Sequence, residues 1–253
     1  MKTFTSVDGI EIAWYEWGYD TSRPPVVLHH GFAASAAANW EAPAVVAELV
    51  TAGRKVYALD ARGHGRSGKP HDKAFYGETK MSRDLSQFLD VIGAPQVDLA
   101  GYSMGGIVVL INATTERRIR RLIAGGIGGG VVMFGGVDQR AIGSDLLAAG
   151  LLAADKATLF GPVAAFRAFA ESTGADLKAL AAQAQSVHRE AIALGQIKAP
   201  TLILAGDNDP LAAWPDKLAA AIPDAVTMVI PGTHLGVVGT AAFRRAIVDF
   251  FAV

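Results

Sequence analysis

Residues Gly101-Tyr102-Ser103-Met104-Gly105 spell G-x-S-x-G. An apolar run, Val97-Asp98-Leu99-Ala100, leads into the pentapeptide, and another, Ile107 to Ile111, leads out of it. The pattern suits a strand that turns abruptly into a helix, straining the central residue and lifting its side chain to the tip. Gly101 and Gly105 lack a Cβ, so the two arms of such a turn can close on each other. Ser103 is therefore a candidate nucleophile. A serine hydroxyl becomes a strong nucleophile only beside a base, and the base needs an acid to orient it.

The chain offers six histidines. His29 and His30 end a strand pattern, His64 lies in a Gly-rich loop, His71 follows that loop, and His188 falls in a helical stretch. Only His234, in Pro231-Gly232-Thr233-His234-Leu235-Gly236, follows a late strand pattern and sits in a turn. From there an imidazole can reach back over the sheet edge. The acid candidates are Asp207 and Asp209, in Leu204-Ala205-Gly206-Asp207-Asn208-Asp209-Pro210, at the end of the preceding strand. Asp209 is the better candidate because it stands farther along the loop toward the site, whereas Asp207 suits turn hydrogen bonds. The chain order Ser, Asp, His is the one expected for a nucleophile elbow on an α/β sheet. A tetrahedral intermediate also needs donors for its oxyanion. The Met104 amide, at the start of a helix, is one candidate, and the Phe32 amide, in the loop after the Val26–His29 strand, is the other.

Two phosphate-binding patterns compete for attention. Gly63-His64-Gly65-Arg66-Ser67-Gly68 matches G-x-G-x-x-G, and with Lys69 it approaches a P-loop. A dinucleotide site needs a helix to start within those glycines, but Lys69-Pro70-His71-Asp72 is loop text, and Pro70 stands where Ser or Thr would hold magnesium. Proline also removes a backbone donor from the would-be cradle.

These residues need a scaffold, and the composition permits one. The 253 residues are 51% hydrophobic, enough for a single large α/β domain. A net charge of −1, from 23 basic and 24 acidic side chains, gives no electrostatic pull toward nucleic acid or an anionic membrane. The Arg117, Arg118, Arg120 and Arg121 cluster reads as a solvated helix end and turn. Without cysteine there can be no disulfide, thiolate nucleophile or Cys-ligated metal. Neither a signal-peptide core nor an apolar run of membrane-spanning length is present. The expectation is a cytoplasmic protein acting on a small molecule, with no metal, no organic cofactor, no nucleic acid and no membrane partner.

Strand patterns fall at Phe4–Val7, Ile10–Trp17, Val26–His30, Lys55–Asp60, Val97–Ala100, Arg121–Ile127, Thr201–Ala205 and Val226–Ile230. Helical patterns alternate with them at Ala42–Ala52, Met81–Ile92, Asp216–Ala221 and Ala241–Phe251. Continuous apolar strands alternating with helices predict a mostly parallel eight-stranded sheet flanked by helices. Residues 128–198 break the rhythm with Ala/Leu-rich helical text, read as a small helical cap inserted within one domain spanning 1–253. Such a cap would lie over the carboxyl ends of the strands, where open α/β sheets bind ligands.

The chain resembles the α/β-hydrolase fold family. The resemblance rests on His30-Gly31-Phe32, Asp60-Ala61-Arg62-Gly63-His64-Gly65-Arg66-Ser67, Gly101 to Gly106, Gly206-Asp207-Asn208-Asp209 and Gly232-Thr233-His234, which follow the family's order along nearly the whole chain. It implies Ser103, Asp209 and His234 as a catalytic triad, Phe32 and Met104 as oxyanion-hole amides, and a structural Arg-Gly-His-Gly loop. The cap of such proteins shapes the substrate pocket, for which Trp40, Met133, Phe134 and Leu146 are the candidate lining residues. Dehalogenases and most epoxide hydrolases of the fold carry an aspartate at the elbow, so Ser103 argues against both. The resemblance leaves a carboxylesterase acting on a small ester or lactone as the least committed reading. Cofactor-free perhydrolases or haloperoxidases, C–C bond hydrolases and a slow-turnover ligand receptor are its alternatives.

Overall fold

The computed structural model describes residues 1–253. Strands β1 (Lys2–Thr5), β2 (Glu11–Trp17), β3 (Val26–His29), β4 (Val56–Leu59), β5 (Val97–Tyr102), β6 (Ile119–Gly125), β7 (Thr201–Asn208) and β8 (Ala225–Thr233) form one sheet in the order β1-β2-β4-β3-β5-β6-β7-β8. The β1–β2 and β2–β4 pairings are antiparallel and all others parallel.

The central strands are apolar without interruption because both faces are covered. Their alternate residues divide between two cores. Val27, Leu99 and Ile203 face one layer with α2 (Glu78–Ile92) and α3 (Met104–Ala113). Leu28, Ala100 and Leu204 face the other, with α1 (Val45–Thr51) and α9 (Ala241–Ala252). No helix is long and apolar enough to cross a membrane.

Several boundaries shift from the sequence reading for local reasons. The first strand stops at Thr5 because Ser6 closes the turn, its N–H and Oγ both engaging Ile10. The helix expected from Ala42 starts at Val45, since Pro43 and a left-handed Ala44 (φ +64°) interrupt it. Strands β7 and β8 run past the expected ends because they pair through Gly206 and on to Asn208–Thr233. The arginine cluster is not simply solvated. Arg120 and Arg54 both grip the fully buried Asp98 carboxylate on β5.

Between β6 and β7 lie helices α4 (Gly130–Phe134), α5 (Ser144–Leu152), α6 (Gly161–Ser172) and α7 (Leu177–Ala184), and no strand. Helices α5, α6 and α7 bury a third cluster, with Leu147, Leu151, Phe166 and Leu180, which reaches Ala33 and Leu211 at the strand ends. A last helix, α8 (Pro215–Ala219), connects β7 to β8.

Candidate active site

Ser103 follows the last residue of β5 and precedes the first of α3, with φ +55° and ψ −116°. A non-glycine residue held there is strained by about 1–3 kcal/mol, and only an over-determined surrounding keeps it in place. That surrounding is visible in the glycines. A Cβ on Gly105 would stand 2.2 Å from the His29 carbonyl oxygen, and one on Gly101 would stand 2.1 Å from the Gly105 carbonyl oxygen. The Ser103 N–H donates to the Gly125 carbonyl at 2.7 Å, tying the turn to β6.

His234 arrives on the turn after β8. Its Nε2 lies 2.9 Å from Ser103 Oγ, and its Nδ1 lies 2.8 Å from Asp209 Oδ2. The carboxylate at Nδ1 fixes the neutral tautomer. Nδ1–H donates to Asp209, which leaves Nε2 free to accept the serine proton. All three residues are buried. The other oxygen of Asp209 accepts from the Leu211 and Ala212 N–H groups, so the carboxylate caps the short helical turn that follows β7. Asp207 serves elsewhere, accepting from the Gly232 N–H at 2.9 Å and joining the ends of β7 and β8. The Tyr102 hydroxyl donates to the His234 carbonyl at 2.6 Å and steadies the histidine turn.

Phe32 and Met104 flank the serine. Their N–H groups make none of the turn, loop or cap backbone bonds, which leaves them available to an oxygen at the site. The Phe32 loop is held from two sides. The Gly31 N–H donates to Asn39 Oδ1, and Thr173 at the end of α6 donates to the Ala33 carbonyl.

Ser103 lies between two cavities. The outer one, of about 270 Å3, is walled by Phe32, Tyr102, Phe166, Phe169, His234 and Val238. The inner one, of about 50 Å3, lies behind Met104 and is walled by Ile107, Ile142, Leu147 and Leu211, with Glu78 and Gln183 among its polar lining.

None of the four pocket candidates from the sequence lines either cavity. Trp40 is 1% exposed and stacks on Phe243 of α9. Leu146 points outward at 65% exposure. Phe134 carries the Arg140 guanidinium on its ring, 4.9 Å from the centroid, and Met133 sits beside it on α4, away from both cavities. The lining that sequence reasoning missed, Phe166 and Phe169, shares one face of α6 through its i, i+3 spacing. That spacing was the available signal. Glu78 stands three residues before the helix expected from Met81, and the structure begins α2 there.

The Gly63–Gly68 loop is closed on itself. Asp60 accepts from Tyr15, Ala36 and Arg66, Gly63 N–H donates to the Gly68 carbonyl, and Lys69 Nζ donates to the Gly65 and Ser67 carbonyls. Arg62 is buried in ion pairs with Asp8 and Asp84. No three His, Cys, Asp or Glu side chains meet in a way that could hold a metal ion.

Comparison with known proteins agrees with the fold. Over 249 residues the chain is 30% identical to "Putative carbamate hydrolase RutD" of Variovorax paradoxus, covering 90% of this chain and 91% of that protein. It is 37% identical over 109 residues to a non-heme chloroperoxidase of Streptomyces lividans, a match covering 42% of this chain and 36% of that protein. The solved esterase of Exiguobacterium antarcticum has the same fold, with a TM-score of 0.80 over 99% of both chains at 21% identity. A family model described as the alpha/beta hydrolase family matches residues 26–245, from β3 to within α9, and thus takes in the elbow, the acid loop and the histidine turn. The protein belongs to the alpha/beta hydrolase family.

Proposed function

We propose that the protein is a serine-dependent hydrolase, a carboxylesterase that cleaves a small ester or lactone through an acyl-enzyme on Ser103. The observation that carries this reading is the buried relay Ser103–His234–Asp209, with hydrogen-bond spans of 2.9 and 2.8 Å, at the mouth of an apolar cavity.

Ser103 Oγ attacks the ester carbonyl carbon while its proton passes to His234 Nε2. Asp209 stabilises the imidazolium through Nδ1–H. The carbonyl oxygen becomes an oxyanion and accepts from the Phe32 and Met104 N–H groups, the second at the positive end of α3. Collapse breaks the bond to the alcohol oxygen, which takes the proton from His234 Nε2 and leaves. Water then attacks the acyl carbon, giving its proton to His234, and a second collapse returns the proton to Ser103 Oγ and releases the acid.

Similarity to the chloroperoxidase favours a second outcome for the same acyl-enzyme. Hydrogen peroxide in place of water would carry the acyl group away as a peracid, with Ser103 and His234 in unchanged roles.

The test uses p-nitrophenyl acetate and butyrate with wild type and Ser103→Ala. The expected result is turnover in wild type that falls to background in Ser103→Ala, with a fluorophosphonate probe labelling Ser103. Equal rates in the two proteins, or labelling of another residue, would overturn the proposal.

A further inference from the structure

The inner cavity has a polar end that the relay does not use. Glu78, the first residue of α2, is 2% exposed, and its carboxyl accepts from the His188 N–H at 2.7 Å. Gln183, on α7, is 1% exposed. Its Oε1 accepts from the Gly77 N–H at 3.2 Å, which identifies the oxygen and assigns the other terminal atom as nitrogen. That nitrogen is buried and donates to no protein group. A buried unpaired donor costs about 1–3 kcal/mol, and Gln183 lines the cavity, so an acceptor bound there would relieve that cost. Burial pushes the Glu78 carboxyl up to about 7. A carboxylate ligand would meet that buried acid as a like charge wherever Glu78 is ionised, whereas a neutral oxygen suits either form of it.

The relay tells which end of a substrate enters. The leaving alcohol must reach His234, and His234 lines the outer cavity but not the inner one. The acyl group therefore occupies the inner cavity, whose volume of about 50 Å3 admits only a short chain. Its walls are aliphatic at Ile107, Ile142 and Leu147 and polar at Gln139, Ser144, Gln183 and Glu78, and of these Ser144 is engaged, its N–H and Oγ both donating to Gln139 Oε1.

We infer that the inner cavity is a specificity site for a short acyl chain bearing a neutral hydrogen-bond-accepting oxygen, such as a keto group, which Gln183 Nε2 binds beside the Glu78 carboxyl. The inference rests on the serine-hydrolase reading for its orientation but makes its own demand on binding.

Two measurements test it together. The first compares kcat/KM for p-nitrophenyl levulinate with that for its apolar isostere, the isocaproate, each corrected by its rate of hydroxide hydrolysis. The second measures, by ligand-observed NMR, the binding of levulinamide and isocaproamide to Ser103→Ala, where no turnover is needed. The keto compound should be favoured about 10-fold or more in both. Gln183→Met, which keeps the length and removes the donor, should bring the ratio close to one. Equal binding of the two amides to Ser103→Ala would overturn the inference, as would a preference that persists in Gln183→Met. The Ser103→Ala comparison decides the matter even if Gln183→Met does not fold. A binding preference without any turnover would uphold the cavity's role and remove the esterase reading instead.

Discussion

At the scale of single residues, the two aspartates of the Gly206-Asp207-Asn208-Asp209 segment provide a sharp contrast. Asp209 faces His234 Nδ1 at 2.8 Å, while Asp207 accepts from a backbone N–H between strand ends. Asp209→Asn keeps the shape but offers an amide where the relay needs a carboxylate, so the imidazole loses both its tautomer and its counter-charge. Its kcat should fall by about 10³–10⁴-fold. Asp207→Asn should stay within a few-fold of wild type, because an amide oxygen still accepts from Gly232. Steady-state kinetics on p-nitrophenyl butyrate separates the two, and the reverse ranking would reassign the acid. These positions were legible in sequence because each stands at a strand end within a short, distinctive run of glycines and polar residues. The pocket wall was not. Trp40 looks like a lining aromatic, yet its ring is committed to Phe243, about two hundred positions away. Phe166 contacts the site, with its ring 6.2 Å from that of His234, only because α6 packs over the strand ends. The i, i+3 spacing puts Phe166 and Phe169 on one helix face, but nothing near them in sequence says what that face covers.

At the scale of elements, the elbow is a meeting of three backbones, those of β3, β5 and α3. Gly105 is where α3 meets the chain leaving β3, since a Cβ there would stand 2.2 Å from the His29 carbonyl oxygen and 2.6 Å from that of His30. Both obstacles are backbone, one on β3 and one just beyond it, and neither can swing aside as a side chain can. Gly105→Ala should therefore lower the unfolding free energy by about 3 kcal/mol and displace Ser103 from its strained conformation, reducing kcat as well. Gly195→Ala is the matched control. Its added Cβ meets nothing within 4 Å, and its φ is not in the left-handed region. That change should stay within about 0.5 kcal/mol. Urea unfolding of both variants checks the difference, and equal stability would show that α3 can shift away from β3 at little cost. The strands were readable because the central ones are apolar on both faces. Their ends were less so, because β7 and β8 extend each other by pairing, a long-range effect visible only once the strands lie side by side.

At the scale of the whole molecule, acid stability turns on three histidines buried at the carboxyl end of the central sheet. His29 ends β3, His30 follows it, and His64 lies in the loop after β4, with the His30 and His64 rings 5.1 Å apart. Burial is the main cause that pushes His29 and His30 down to about 4 and His64 down to about 3, from an ordinary value of 6.5. The charge of His64 also lowers His29, that of His29 lowers His30, and those of His30 and Lys69 lower His64, while Asp60 works in the opposite direction at His30 and His64. A depressed base means that the unfolded chain takes up protons that the folded one refuses, so stability falls as pH drops below about 6.5. Glu78 acts with the opposite sign. Its carboxyl is raised to about 7, so the folded state holds one proton that the unfolded chain releases above 4.5. Up to three protons favour unfolding and one opposes it. With about 1.4 kcal/mol per proton per pH unit, the net loss should be on the order of 2 kcal/mol between pH 6 and pH 5. His29→Asn retains a side-chain amide to meet the His30 carbonyl, the one partner of the His29 ring, and removes one titrating group. Its stability should therefore decline less steeply over the same interval, by roughly one proton's share of the slope. Urea unfolding of wild type and His29→Asn at pH 7, 6 and 5 checks both statements. A wild-type stability that is flat across that range would mean that the buried histidines gain protons without unfolding.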